Sequence, residues 1–347
     1  FIGLKYKLSK KKNSVVVTNL DIKINTVAPY KLVKTMRAGV LVLGPLLARY
    51  GNAKVSLPGG CAIGTRPVDL HLFALKKLGA KIQIKNGYIL ASAPKGLKGT
   101  SFRFPSISVG ATENVILAAI KAKGVTIIEN CAIEPEIKDL INFIKKLGVK
   151  IKIKGRKITI IGSMKEKKIT HKIICDRIEL GTYLISGALT AKKLRLKNVD
   201  PKLIKSEIFI LKKMGVKMKV SKNYIEIYKS SNIKKINIKT APYPGFPTDL
   251  QAQIMILMTQ AQGISKIKEN IFENRFMHVP ELKRMGAKIE IRNNIANISG
   301  PCALTGAEVM ATDLRASVSL VLAALIADKR TKINRIYHLD RGYEDLE

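Results

Sequence analysis

Tryptophan is absent from this 347-residue chain, and aromatic residues of all kinds make up only 5% of it. Binders of single-stranded nucleic acid present aromatic platforms on which bases stack, and no such platform is evident. Acidic residues are also scarce: 25 Asp and Glu stand against 62 Lys and Arg, a formal net charge of +37. That balance alone points to a polyanionic partner, so the placement of the lysines has to decide. Four cysteines, Cys61, Cys131, Cys175 and Cys302, lie far apart without CxxC or Cys/His zinc spacing, so neither a disulfide framework nor a metal site is suggested and a reducing cytoplasm is the expected compartment. The longest apolar runs, 39–48 and 316–327, fall short of the roughly 20 residues that cross a bilayer. They predict buried helices and no membrane partner.

Hydrophobic residues make up 46% of the chain and charged residues 25%, the composition of a folded protein, and the length suits two domains, each with its own core. A repeat then organises the chain. LKKLGAKIQIKNGYIL (75–90), FIKKLGVKIKIKGRKITII (143–161), ILKKMGVKMKVSKNYIEIY (210–228), ELKRMGAKIEIRNNIANIS (281–299) and a degraded first copy, IGLKYKLSKKKNSVVV (from Ile2), share one grammar: a helix end, a glycine, and an alternating strand pair. The marker glycines are Gly3, Gly79, Gly148, Gly215 and Gly286, spaced 76, 69, 67 and 71 residues apart. Each predicts a left-handed helix C-cap, and Asn86-Gly87 predicts a tight hairpin turn. Alternation puts Lys81, Gln83 and Lys85 on one strand face, and Lys150, Lys152 and Lys154 on another. Much of the positive charge therefore coats the solvent side of sheets, and no nucleic-acid partner is expected.

The period extrapolates to a sixth marker near about 356. The expected fold is α/β, with six units of strand, helix and hairpin grouped three and three, and with the first and last units incomplete in this chain. The domains are expected at 1–174, including a glycine-rich loop at about 51–70, and 175–347.

Two segments interrupt the repeat. SLPGGCAIGTRPVDL (56–70) sets three glycines and two prolines around one thiol and one arginine, and it reads as a mobile loop. Cys61 there is exposed and near Arg66, conditions that lower a thiol pKa and suit proton transfer or nucleophilic attack. Cys131, Cys175 and Cys302 read instead as inert small hydrophobes. Arg66, just before Pro67, suits an anion clamp. TAPYPGFPT (240–248) delivers Asp249 to the start of an apolar helix, where the carboxylate is either an N-cap or a general base. Arg37 is expected on a single helix from about Pro29 to Gly51, close to a buried stripe formed by Leu32, Val33, Met36, Val40 and Leu43, where its charge needs a partner. SVGAT (108–112) is either a phosphate site at a helix N-terminus or a plain serine cap. Arg315 and Arg341 each lie beside acids, an arrangement that ordinary salt bridges also give.

APYKLVKTMRAG, VSLPGGCAIGTRPVDLH, SVGATEN, CDRIELGTY, FPTDLQAQ, FENRFMHVPELKRMGA, MATDLRAS and RIYHLDRGYE, in this order and spacing, resemble the UDP-N-acetylglucosamine enolpyruvyl transferases from about Ala28 onward. The resemblance implies two inside-out α/β barrels of three units each, closing over phosphoenolpyruvate and UDP-N-acetylglucosamine in the cleft between them, without metal or organic cofactor. By that likeness Cys61 is the proton donor to phosphoenolpyruvate and the residue that fosfomycin alkylates, and Asp249 is the base near the sugar hydroxyl. Arg37, Arg66 and Arg341 gather around phosphoenolpyruvate, and Arg315 belongs to the substrate-binding set. Arg66, Pro67, Val68, Asp69 and Leu70 match the uridine-side loop, and Ser106, Ile107, Ser108 and Val109 the diphosphate-side turn. Ile271 matches a sugar-nucleotide contact. Some family members carry lysine at the position of Ser106, and the family's Lys-Asn pair that touches phosphoenolpyruvate would fall upstream of Phe1. The sister enzymes acting on shikimate 3-phosphate lack the PGGC loop, so Cys61 separates the two.

Overall fold

A computed structural model describes residues 3–9, 13–18, 24–34, 37–58, 68–162 and 167–343. The chain divides into two compact units between Lys172 and Ile173. Within each, a run of strand, helix, strand, helix and hairpin recurs.

In the first unit, strand Val27–Ala28 leads through helical turns to strand Asn52–Ser56, then helix Asp69–Lys77, then the hairpin Lys81–Lys85 and Tyr88–Ser92. Strand Ser101–Arg103, helix Val109–Ala119, strand Val125–Glu129, helix Pro135–Lys146 and the hairpin Lys150–Lys154 and Lys157–Ile161 repeat it. Both sheets have the same order: the first two strands are parallel neighbours, the last strand pairs antiparallel with the second, and the third lies at the edge. A separate hairpin pairs Lys5–Ser9 with Ser14–Thr18. In the second unit, helix Arg177–Thr190, strand Leu194–Lys197, helix Lys205–Lys213 and the strands Met218–Val220 and Tyr224–Ile227 give one copy. Strands Ile233–Lys234 and Asn237–Lys239, helix Gln251–Thr259, strand Ala261–Lys268, helix Val279–Arg284 and the hairpin Lys288–Arg292 and Ile295–Gly300 give another, and strand Glu308–Met310, helix Leu314–Ala324 and strand Lys332–Asn334 begin a further one.

The expected hairpins form, and all five marker glycines adopt positive φ. Asn86 (φ 50°) and Gly87 (φ 75°) make the turn that the right-handed strand twist favours. Each full unit carries two helices, however, where the repeat grammar showed one. Two of the additional helices have little solvent face: every residue of Gln251–Thr259 is buried, and most of Val109–Ala119 is. A helix apolar on all sides belongs inside. Helices therefore fill the interior of each unit while the sheets turn Lys81, Gln83 and Lys85, or Lys150, Lys152 and Lys154, to solvent. The sheets are open.

The single helix expected from Pro29 to Gly51 is instead a short helix, Tyr30–Val33, a 3-10 stretch, Arg37–Val42, and a second helix, Leu43–Tyr50. The break has a tertiary cause, because the Gly44 amide donates to the Asn114 side chain at 2.7 Å and is diverted from the helical ladder. Val33, Val40 and Leu43 are buried as the stripe required, and Gly51 closes the second helix in the left-handed region.

Candidate functional site

In the second unit Asp249 lies in a 3-10 turn, Thr248–Leu250, just before helix Gln251–Thr259. Its carboxylate meets two arginines. Oδ1 accepts a 2.6 Å hydrogen bond from Arg275 Nη2, and Arg315 Nη2 stands 3.5 Å from Oδ2. The Arg275 side chain is only 3% exposed while that of Asp249 is 40% exposed, so a buried cation holds a carboxylate that reaches solvent. A buried guanidinium requires such a partner, and the ring of Phe272, 5.4 Å away, covers Arg275 further.

Arg315 occupies the first turn of helix Leu314–Ala324, which Asp313 caps by accepting from the amides of Arg315 and Ala316. Burial works to lower the Arg315 pKa, but the charge of Asp249, with Tyr343 and Asp176, outweighs it and holds the group above its ordinary value. Gln253 ties the assembly to a neighbouring helix: its Nε2 donates to the Asp249 carbonyl at 2.9 Å and to Thr182 Oγ1 at 3.2 Å, and Thr182 Oγ1 lies 3.0 Å from the Tyr343 hydroxyl. Ile271 is exposed, on the loop that leads to Arg275. His278 is buried behind this group, and burial, opposed by Asp313 and assisted by Arg275, pulls its pKa down to about 4.

In the first unit Ser106 and Val109 are exposed, and Ile107 and Ser108 are half-buried, at the entrance of helix Val109–Ala119. The plain cap foreseen for Ser108 is present, with its Oγ accepting from the Ala111 amide at 3.3 Å. Thr112 secures the turn by donating to the Ser108 carbonyl and accepting from the Ala132 amide. Beneath lies a neutral polar lattice centred on the fully buried Asn114. Its Oδ1 accepts from Gly44 N, and its Nδ2 donates to Val40 O (3.2 Å) and to His71 Nδ1 (3.1 Å). Those bonds fix the amide orientation and leave His71 neutral with its proton on Nε2. The lattice joins three elements that carry foreseen site residues: the segment beginning at Arg37, the helix beginning at Asp69, and the helix beginning at Val109. Val68 is buried, Asp69 exposed, and Leu70 packed against the core.

The structure thus brings Asp249 and Arg315 together, and it places Val68, Asp69 and Leu70 on one element and Ser106 to Val109 on another. Cys61, Arg66 and Pro67 lie outside the described residues, as do the side chains of Arg37 and Arg341. Cys131 and Cys302 are buried, as an inert role requires, and burial pushes the Cys131 thiol up to about 12, while Cys175 is partly exposed. Arg275, Asn114 and His71 were not singled out from the sequence. Arg275 stands within FENRF, in a loop without helical or strand period, so no pattern marked it as a buried charge. Among the described residues, no group of three or more His, Cys, Asp or Glu side chains is arranged to hold a metal, and no helix is long and apolar enough to cross a membrane.

Residues 2–347 match the family model for EPSP synthase (3-phosphoshikimate 1-carboxyvinyltransferase). The chain is 60% identical over 97% of its length to the UDP-N-acetylglucosamine 1-carboxyvinyltransferase of Pelagibacter ubique, spanning 81% of that protein. It is 53% identical over 97% of its length to that of Aliarcobacter butzleri, again spanning 81% of the relative. Among solved structures, the enolpyruvyl transferase NikO from Streptomyces tendae superposes with a TM-score of 0.85 at 24% identity, covering 99% of this chain and 82% of that one. An EPSP synthase from Acinetobacter baumannii gives 0.71 at 19% identity, covering 96% and 80%; at these identities the likeness speaks for the fold. With this fold, this match along the chain and this identity to its relatives, the chain belongs to the EPSP synthase family and, within it, to the UDP-N-acetylglucosamine 1-carboxyvinyltransferases.

Proposed function

We propose that this chain transfers the enolpyruvyl group of phosphoenolpyruvate to the 3'-hydroxyl of UDP-N-acetylglucosamine and releases phosphate; its relatives are named as 1-carboxyvinyltransferases of UDP-N-acetylglucosamine. The observation that carries the reading is the Asp249 carboxylate, held at one oxygen by buried Arg275 and faced at the other by Arg315. A carboxylate fixed in direction and open to solvent suits a base that receives the sugar hydroxyl proton.

Addition joins the 3'-oxygen to C2 of phosphoenolpyruvate. The hydroxyl proton passes to Asp249, and the Cys61 thiol supplies a proton to C3, which becomes a methyl group. Elimination removes a proton from that methyl group, restores the double bond and expels phosphate, so no redox partner is needed. Arg37, Arg66 and Arg341 hold the phosphate and carboxylate while charge shifts on the reacting carbons, and Arg315 belongs to the substrate-binding set. The uridine side belongs to Arg66 through Leu70 and to Ile271, and the diphosphate side to Ser106 through Val109. The two-domain division at 1–174 and 175–347 is part of this reading.

The same reading assigns the chain to the cytoplasm and to the first committed step of peptidoglycan precursor synthesis, hence to cell shape and division, and makes Cys61 the target of fosfomycin. Its partners are small molecules and not nucleic acid, since much of the lysine excess lies on solvent faces of sheets. The test is phosphate release from phosphoenolpyruvate with and without UDP-N-acetylglucosamine, in the wild type and Cys61→Ala. Release that depends on the sugar nucleotide and is lost in the variant is expected. A folded wild type that releases none would refute the assignment.

A further inference from the structure

Glu269 is a carboxylate only 3% exposed, at the end of strand Ala261–Lys268. Its acceptor oxygens bind two loops at once. Oε1 accepts from Thr240 Oγ1 (2.8 Å), Ile271 N (2.8 Å) and Phe272 N (3.2 Å), and Oε2 accepts from Thr248 Oγ1 (3.0 Å). One loop, 240–248, leads directly into Asp249, and the other, 270–274, carries Ile271 and leads directly into Arg275. The backbone of Glu269 is held too, its amide donating to Asn294 O and its carbonyl accepting from Asn294 Nδ2. Four hydrogen bonds to one buried carboxylate satisfy its charge in place and set the spacing of the two loops.

We propose that Glu269 is a positioning residue for the Asp249–Arg275 pair: it clamps the two loops so that the guanidinium meets one carboxylate oxygen and the other stays directed toward the reacting hydroxyl. The inference rests on the reading of Asp249 as the base. Glu269 touches no substrate in this account. It acts through Thr248, one residue before Asp249, and through the 271–272 amides, three to four residues before Arg275. The role is geometric, since what matters is a side chain long enough to reach both loops with acceptors in place.

That distinction makes the test. Glu269→Gln keeps length and shape; its Oε1 retains the three bonds from Thr240, Ile271 and Phe272, and its Nε2 donates to Thr248 Oγ1, which turns to accept. Glu269→Asp keeps the charge and loses one methylene of reach. Two quantities are measured in each folded variant: kcat and KM for both substrates, and the slowly exchanging guanidinium proton signals of Arg275 in a nitrogen-15 spectrum, assigned by their loss in Arg275→Lys. The expected result is a Gln variant within about 3-fold of wild-type kcat, and Asp and Ala variants reduced about 100-fold in kcat more than in KM, the size of loss that a misplacement near 1 Å brings. The Arg275 signals persist in Gln and are lost in Asp and Ala. Thr248→Val, which removes a single tie, gives an intermediate fall even where Glu269→Ala fails to fold.

An Asp variant as active as wild type, or a Gln variant as weak as Ala, would overturn the proposal in favour of a charge effect. Unchanged Arg275 signals in a folded Asp variant would overturn it as well. Because those signals require no turnover, they decide the positioning role even if the wild-type protein proves inactive in the transferase assay.

Discussion

The two units prepare their sites with different chemistry. In the first, the Ser106–Val109 turn and the elements around it rest on a lattice of uncharged groups: Asn114, His71, Ser108 and Thr112. In the second, Asp249 is set by full charges, Arg275 beneath it and Arg315 beside it, with buried Glu269 spanning the supporting loops. A neutral lattice holds backbone and helix ends in place without competing for an anionic ligand. A charged one holds a side chain in a fixed direction. The first arrangement suits holding, the second suits chemistry.

The sharpest way to break this contrast is to remove the charge that the second unit presents. Asp249→Asn should cut kcat by about 100-fold or more, and it should also lower stability, because buried Arg275 loses its counter-charge at a cost of about 1–3 kcal/mol. Steady-state kinetics and urea denaturation check the two effects, and wild-type kcat in this variant would remove Asp249 from the mechanism. The corresponding lesion in the first unit should act mainly on stability. Asn114→Ala leaves the Gly44 amide and the Val40 carbonyl short of the Asn114 side chain in the interior, at a cost of about 2–4 kcal/mol. With about 2–4 °C per kcal/mol for a domain of this size, melting should fall by roughly 4–16 °C, as calorimetry can show. Gly44→Ala should act in the same direction, since a Cβ there would collide with the Asn114 side chain and carbonyl.

A smaller effect separates the units by pH. Burial, with repulsion from Glu136 and Glu134, pushes the Glu113 carboxyl in the first unit up from 4.5 to about 7. Its folded pKa exceeds its unfolded one, so stability is greatest below about 4.5 and declines as pH rises through 7. Glu113→Gln should therefore stabilise the protein at pH 8, by up to about 3 kcal/mol, and change little at pH 4. His278 in the second unit behaves oppositely: its pKa falls from 6.5 to about 4, so the stability that its neutral form contributes is complete above 6.5 and is lost as pH drops toward 4. His278→Gln should flatten that acid limb. Denaturation curves from pH 4 to 8 measure both, and parallel curves for wild type and variants would refute the assignments.

Much of this was legible in the sequence because it is local. A left-handed glycine after LKKLGAK or LKRMGAK and a turn at Asn86-Gly87 are short-range signals, and the hairpins followed from them. Helix Gln251–Thr259 was legible only as an apolar run, because a helix buried on every side has no polar face to reveal a period. The break between Arg37 and Leu43 depends on Asn114, 70 residues beyond Gly44, and no local pattern reports such a partner. Asp249 was visible, but its partner was not, because the Arg275 guanidinium is brought from 26 residues away by the loops that Glu269 ties together. Charges that meet across loops leave no spacing rule behind.

The central claim is that the 3'-hydroxyl of a sugar nucleotide attacks phosphoenolpyruvate at this site. Phosphate release measured with UDP-N-acetylglucosamine, with its 3'-deoxy analogue and with shikimate 3-phosphate tests it most directly. Release with the first alone is the predicted result. Release with the deoxy analogue, or with shikimate 3-phosphate in place of the sugar nucleotide, would contradict it.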